Sequence, residues 1–416
     1  MGDRIKKASI ISIGNEVVCG RTIDTNAAHI SRQLLAAGIP VAGVYVVGDR
    51  IEAITRVLQF ASEEAQIIIC SGGLGPTDDD LTRQALADFL GVELELRDEL
   101  LVQIERYFER IGVKMAARNK IQACIPKGAD AIANEWGTAP GIAAHKGVCQ
   151  FFALPGVPRE MEKMLQASVL GQLRSVSSEQ AIVVKRLRCF GEGESTIAER
   201  LGDAMDRDRN PLVNCTVGSG GITLEIVSTA SVSDVAEARA AETEQALRQV
   251  LGGIVYGVDD ETLAEVVGNR LARRGQTVAT AESCTGGLVA KLITDVPGAS
   301  RYFTRGWVTY SNEAKTAELA VAPELIAQYG AVSAEVAAAM AQGARRAAAA
   351  DYAIAITGIA GPDGGTEQKP VGLVYVAVDH QGGTDTSQHV FPHERSAMRR
   401  RTALTALDRL RRQLES

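Results

Sequence analysis

Residues 281–315 read AESCTGGLVAKLITDVPGASRYFTRGWVTYSNEAK and follow the β-branched run Thr277-Val278-Ala279-Thr280. A buried strand is expected over TVAT and a helix over LVAKLI, with Ser283, Cys284, Thr285, Gly286 and Gly287 between them. The paired glycines let the backbone approach a ligand closely. Strand, hydroxyl-rich turn and helix start come in that order. Such a turn gathers free N–H groups at the positive end of the helix dipole, so it suits an anion or an oxyanion formed during a reaction.

A hydroxyl is a weak nucleophile until a base takes its proton. No histidine lies in this stretch. The segment RGWVTYSNEAK instead supplies a strand-like WVTY, a helix start at Ser311-Asn312-Glu313, and Lys315 one turn in. The most economical constellation is Ser283 as nucleophile, a desolvated Lys315 as base, and Tyr310 to orient or relay the proton. Two plainer readings stand beside it: Ser283 as a helix cap with Lys315 solvated, and Cys284 as the nucleophile.

AESCTGG, VPGAS, VTYSNEAK, GAVS and the later TGIAGPDGGTEQKPVG run in this order through residues 256–400. Together they resemble the hallmark motifs of the C-terminal domain of the CinA (competence/damage-inducible) family. The resemblance implies a three-layer α/β domain that hydrolyses the amide of nicotinamide mononucleotide without a cofactor. It implies Ser283 as nucleophile, Lys315 and Tyr310 as activating partners, and Thr357 with Gly358 in the substrate pocket. The N–H groups of Thr285, Gly286 and Gly287 would hold the oxyanion. One departure is visible. Arg305-Gly306-Trp307 stands where relatives often carry Gly-Gly, and a bulky residue there is expected to alter the pocket rim.

At 416 residues the chain is long enough for two to three domains, and 46% hydrophobic with 23% charged residues is ordinary for a soluble globular protein. A formal charge of −7 argues against general nucleic-acid binding, which needs a basic face. Cys19, Cys70, Cys124, Cys149, Cys189, Cys215 and Cys284 are scattered singly, as reduced thiols would be in a cytoplasmic protein. No apolar run is long enough for a signal peptide or a membrane span.

Earlier in the chain, ASIISIGNEVVCG reads as a buried strand ending at Gly14-Asn15-Glu16, and Asp24-Thr25-Asn26 as the cap of the helix AAHISRQLLAAG. The strand VAGVYVVGD, a helix from about Ile51 to Glu64, and the strand AQIIICSGG follow. This alternation predicts parallel βαβ units with ligands at the carboxyl ends of the strands. The third strand runs into Gly72, Gly73 and Gly75, then Asp78-Asp79-Asp80. A Walker loop would carry Lys and Ser or Thr here. Acids beside glycine N–H groups point instead to a hydrated divalent cation (Mg, Mn or Co) holding a pyrophosphate cradled by the glycines. The alternative is that the aspartates only cap the helix beginning at Leu81.

With GNE, GGLGPTDDD, the segment ARNKIQACIPKGADAIANEWGTAPGIAA and FFALPGVPREME, residues 6–168 resemble the MogA-type molybdopterin-binding fold. The version they resemble forms the N-terminal domain of CinA proteins and hydrolyses ADP-ribose. Charge and turn placement put Glu16, Asp78, Asp79 and Glu160 with the metal, and Asn26 with the substrate. Residues 169–255 read as a small α+β module, with a turn at Gly191 to Ser195 and a hairpin or loop from Asn214 to Gly221. It can resemble a KH-type RNA-binding domain but lacks a GXXG signature with basic residues, so it reads as a spacer or dimerisation element.

The tail carries Leu404, Leu407, Leu410 and Leu414 at near-heptad spacing, with most arginines on a solvated face. Arg395 and Arg399 stand where relatives have an Arg-x-x-x-Arg pattern, but the usual GDR reads HER here, which puts a phosphate role in question. The expected organisation is an α/β chain of three domains, 1–168, 169–255 and 256–416. Its expected partners are small nucleotide substrates and a second copy in a homodimer, with no membrane and no nucleic acid. A molybdenum-cofactor binding protein and a competence-associated interaction protein without catalysis remain the alternatives.

Overall fold

Apolar runs become the central strands of the first and last sheets, and strands of alternating burial build the middle one. The computed structural model describes residues 6–174, 181–218, 220–391 and 394–415. The chain forms two units, Met1–Val184 with Val227–Ala240, and Lys185–Ile226 with Ala241–Ser416. His393 of the HER triplet lies outside the described residues.

The first unit contains β1 (Ala8–Ile13), β2 (Val41–Val47), β3 (Ile67–Ser71), β4 (Leu94–Leu96), β5 (Cys124–Pro126), β6 (Asp130–Ile132), β7 (Gly141–Lys146) and β8 (Cys149–Leu154). Six of them form one sheet in the order β2-β1-β3-β8-β7-β6. Pairing is parallel from β2 to β8 and antiparallel from β8 to β6. Every residue of β1 and β3 is buried, as a sheet covered on both faces requires. Ile10, Ile67 and Ile69 pack with Ile30 and Leu34 on one face. Ile11 and Ile68 pack with Ile54, Leu58 and Leu86 on the other. The expected helix from Ile51 to Glu64 is found at Ile51–Glu64.

Next come β9 (Ala181–Cys189), β10 (Leu212–Gly218), β11 (Gly221–Ala230) and β12 (Val255–Val258), a sheet in the order β10-β11-β9-β12. The hairpin or loop expected from Asn214 to Gly221 falls in part outside the described residues, and the strands on either side, β10 and β11, are neighbours in this sheet. Tyr256, where the last domain was expected to begin, lies in β12 of this middle sheet.

The last sheet is built from β13 (Val278–Glu282), β14 (Phe303–Val308), β15 (Tyr352–Gly358), β16 (Leu373–His380) and β17 (Gly383–Val390) in the order β14-β13-β15-β16-β17. β13 is parallel to both its neighbours, and β16 is antiparallel to both of its own. Small side chains let the helix Ala334–Ala348 pack on Ala279, Ala281, Ala353 and Ala355 on one face. On the other, helices Leu263–Arg274 and Arg395–Gln413 cover Val278, Ile354, Ile356 and Val376.

Two sequence expectations change here. Leu404, Leu407, Leu410 and Leu414 are buried within this core, so the seam is used inside the domain and lends no support to a homodimer. Arg411, on the supposed solvated face, is fully buried against Asp408 and Glu415.

Candidate active site and a second, acidic cleft

Strand register assembles the first site. Glu282 pairs with Val308 on one side and Ile356 on the other, so Ser283, Thr309 and Thr357 follow as neighbours at the carboxyl edge of three parallel strands. Ser283 N donates to Ile356 O (3.0 Å) and Thr309 N to Glu282 O (2.9 Å), holding this edge in place. Ser311 caps the helix Asn312–Leu319 by accepting from Ala314 N, and that helix returns Lys315 to the same edge.

Lys315 is buried, with Nζ 3.3 Å from Ser283 Oγ. The same nitrogen donates to the main-chain oxygens of Thr309 (2.9 Å), Tyr310 (3.4 Å) and Ser311 (3.4 Å). Burial pushes its pKa down from the ordinary lysine value of 10.5, against opposing pulls from Cys284 and Glu313. A neutral amine here has two hydrogens to share among these three carbonyls and one lone pair able to accept the serine proton. The solvated-lysine reading is therefore excluded by burial. Cys284 is also buried, and burial pushes its thiol up to about 12, which removes the thiolate a cysteine nucleophile needs.

Two other expectations, at Tyr310 and Thr357, need correction. The Tyr310 side chain is exposed and its phenol oxygen accepts from Arg395 Nη2 (3.1 Å), so it is the main-chain carbonyl of Tyr310 that meets Lys315. Thr357 reaches the edge, but its hydroxyl donates to Ala331 O (2.7 Å) and is spent on structure. Trp307 packs into the core, and the exposed Arg305 stacks on its ring at 4.7 Å. Gly358 packs closely, since a Cβ there would meet Leu373 O at 2.8 Å and Cys284 Sγ at 3.1 Å.

Glu282 went unnoticed in the sequence. This buried carboxylate accepts from Val289 N (3.1 Å) and Ala290 N (2.8 Å), so the start of the helix Leu288–Thr294 is neutralised from within. Gly286 N donates to Ser283 O (3.1 Å). Of the expected oxyanion donors, Thr285 and Gly287 N–H remain without an acceptor among the described residues. Gly287 holds φ +88°, which a side chain would strain. Arg399 Nη2 donates to Thr285 O (2.6 Å), bringing one cation to the turn, and Arg395 Nη1 donates to Gly361 O (2.6 Å) in the loop after β15.

The second site follows from the first sheet. Gly14, Gly48, Gly72 and Pro155 succeed strand ends in register, and around them opens a cleft of about 380 Å³. Glu16, Gly72, Gly73, Gly75, Asp79, Asp80, Gln122, Thr138 and Glu160 line it together with Asp49. At Gly72, φ is +110° and a Cβ would lie 2.1 Å from Ile13 O, so only glycine fits. Asp80 folds back to accept from Gly75 N and Thr77 N (both 2.8 Å), which shapes the turn. Asp78 is exposed and does not line the cleft, contrary to expectation. Glu160 accepts from Asn134 Nδ2 (2.7 Å). Asn26 Nδ2 donates to Ser71 Oγ (2.9 Å) and Gly156 O (2.8 Å), beside the cleft and not in its lining, while its buried Oδ1 lacks a partner.

Asp49 was missed, although VVGD after β2 places it at the same carboxyl edge. Burial raises its carboxyl above the usual range, and the charges of Glu16, Asp79 and Asp80 add to the rise. Among the described residues, no group of three or more His, Cys, Asp or Glu side chains is arranged to hold a metal by itself. The convergent charge nevertheless suits a divalent ion that takes one or two carboxylates and completes its shell with substrate oxygens and water.

Residues 260–414 match the family "CinA C-terminal domain", residues 9–175 "Probable molybdopterin binding domain", and residues 184–257 "Damage-inducible protein CinA KH domain". The middle module, read above as a spacer or dimerisation element, is thus similar to the CinA KH domain. A "CinA-like protein" from Geobacter sp. (strain M21) is 44% identical over 405 residues, covering 97% of this chain and 96% of its own. Another from Kosmotoga olearia is 40% identical over 408 residues, covering 98% and 99%. A crystal structure of competence/damage inducible protein CihA from Agrobacterium tumefaciens is 41% identical, covering 37% of this chain and 94% of its own, with a TM-score of 0.35. Among the described residues no helix is long and apolar enough to cross a membrane. With its domains matched in order and relatives aligned over nearly its whole length, the chain belongs to the CinA family.

Proposed function

We propose that the last domain is a serine amidohydrolase for the carboxamide of nicotinamide mononucleotide, and that the N-terminal cleft hydrolyses the diphosphate of ADP-ribose. The observation that carries the first activity is the buried Lys315 Nζ lying 3.3 Å from Ser283 Oγ. Ser283 Oγ attacks the carboxamide carbon while Lys315 takes its proton, and Thr285 and Gly287 N–H groups receive the oxyanion. The lysine then protonates the departing nitrogen, and ammonia leaves an ester on Ser283. Water, deprotonated by the same amine, cleaves the ester to nicotinic acid mononucleotide and restores the hydroxyl. Arg395 and Arg399 supply positive charge for the substrate phosphate beside the turn.

In the other unit, one or two carboxylates of the cleft, Asp49 and Asp79, would hold a divalent cation whose remaining shell is water and substrate oxygen, and the ion would supply screening of the substrate phosphates. The glycines of the third turn bring their backbone against the diphosphate, and Asp80 keeps that turn in shape. Incubating the protein with nicotinamide mononucleotide, and separately with ADP-ribose plus Mg²⁺, Mn²⁺ or Co²⁺, tests both. Ammonia release abolished by Ser283→Ala is expected. Silence on both substrates would refute the reading.

A further inference from the structure

A cavity of about 360 Å³ lies between the middle sheet and the last domain, wholly within the second unit. Its apolar wall is Leu263, Leu292, Val296, Leu404 and Leu407, and Tyr256 and Arg188 face it from the middle sheet. None of its lining residues belongs to the Ser283 turn. The volume falls in the range of small-molecule sites.

The charged side chains that line the cavity are two arginines, Arg188 and Arg400, and two acids, Glu265 and Asp295. Glu265 also lines the cavity, but it accepts from Thr262 N (2.7 Å) and Thr262 Oγ1 (2.9 Å) at the start of its own helix. Asp295 is paired with Lys291 at 2.5 Å. Arg188 is half-buried, and its side-chain partners among the described residues are hydroxyls: Nη1 donates to Thr223 Oγ1 (2.6 Å) and Nε to Tyr256 OH (3.3 Å). Its Nη2 lies against Gly220, where an added Cβ would stand 3.2 Å away, so the glycine leaves the guanidinium open on that side. A cation held by neutral partners beside an apolar wall is matched by a ligand that joins one phosphate to a flat, weakly polar body.

We propose that this cavity binds a nucleoside 5′-monophosphate, with the phosphate on Arg188 and the base against Leu263, Leu404 and Leu407. The site is separate from both proposed catalytic sites and stands whether or not they act as proposed.

Titration calorimetry of the full chain with AMP and with inorganic phosphate reads the binding, and Arg188→Gln and Arg188→Lys read its origin. AMP should bind saturably, and phosphate more weakly and in competition. Arg188→Gln should weaken one class of site by about tenfold or more, and Arg188→Lys should retain part of the affinity. Photolabelling of the native chain with 8-azido-AMP should mark peptides containing residues 263–265 or 404–407, and excess AMP should suppress it. That measurement decides the matter if Arg188→Gln does not fold. Unchanged binding by a folded Arg188→Gln, label confined to residues 72–80 or 283–287, or displacement by single-stranded RNA and not by AMP would overturn the proposal.

Discussion

Lys315 carries an ionisable group into a place that disfavours its charge, and this fixes a pH dependence. Its pKa lies below 10.5, so the amine becomes a competent base along a limb that rises with pH and levels off below the pH at which a solvated lysine titrates. The stability sign is the same. Below the depressed pKa the folded state must bury an ammonium that the unfolded chain solvates, and this cost is relieved as pH rises toward 10.5. Lys315→Met should therefore melt higher than wild type near neutral pH while losing amidase activity, a pairing that calorimetry and an ammonia assay would check together. Ser283→Ala and Lys315→Arg should each lower kcat by about two orders of magnitude or more, with Cys284→Ala remaining active. The Ser283–Lys315 pair was legible because each residue sits at a fixed offset from a strand end or helix cap. The facing of Tyr310 was not, since its phenol is drawn outward by Arg395, a residue far along the chain.

Among the elements, the turn after β13 depends on Glu282, whose carboxylate ties the strand end to the second and third residues of the following helix. Glu282→Ala leaves two buried amides unpaired and should cost about 1–3 kcal/mol in denaturant unfolding, with a drop in kcat because the same turn carries Ser283. Glu282→Gln should fall between. The sequence announced strand, turn and helix here but not this link, because an acid at the end of an otherwise apolar strand looks like the first solvated residue. A parallel error affected the aspartates after β3. Run together in sequence they looked equivalent, yet turn geometry spends Asp80 on Gly75 and Thr77, leaves Asp78 outside, and brings in Asp49 from another strand. Asp49→Asn and Asp79→Asn should each abolish most ADP-ribose hydrolysis, and Asp78→Asn should leave it near wild type, as release of AMP would report.

At the scale of the whole molecule, the two proposed activities reside in separate units and should fail separately. A chelator should stop ADP-ribose hydrolysis and spare ammonia release, and loss of both without unfolding would contradict two independent sites. The layers of each sheet were legible from alternating apolar runs, while the connection between middle module and last domain was not, since it rests on single long side chains. Arg411 is the plainest case: it pairs with Asp408 at 2.8 Å and donates through Nη2 to Gly253 O at 2.6 Å, ahead of β12. Asp408→Ala removes one of the two carboxylates paired with Arg411 and leaves Glu415, so it should destabilise the second unit by about 1–3 kcal/mol. Arg401 also lies over the Phe190 ring of the middle module at 4.4 Å. Three family matches tile the chain, but the border near residue 258 is not a seam at which inheritance could cut freely. A last domain transplanted alone would leave behind the Gly253 carbonyl and the Phe190 ring, and its final helix would keep Arg411 on Asp408 and Glu415 alone.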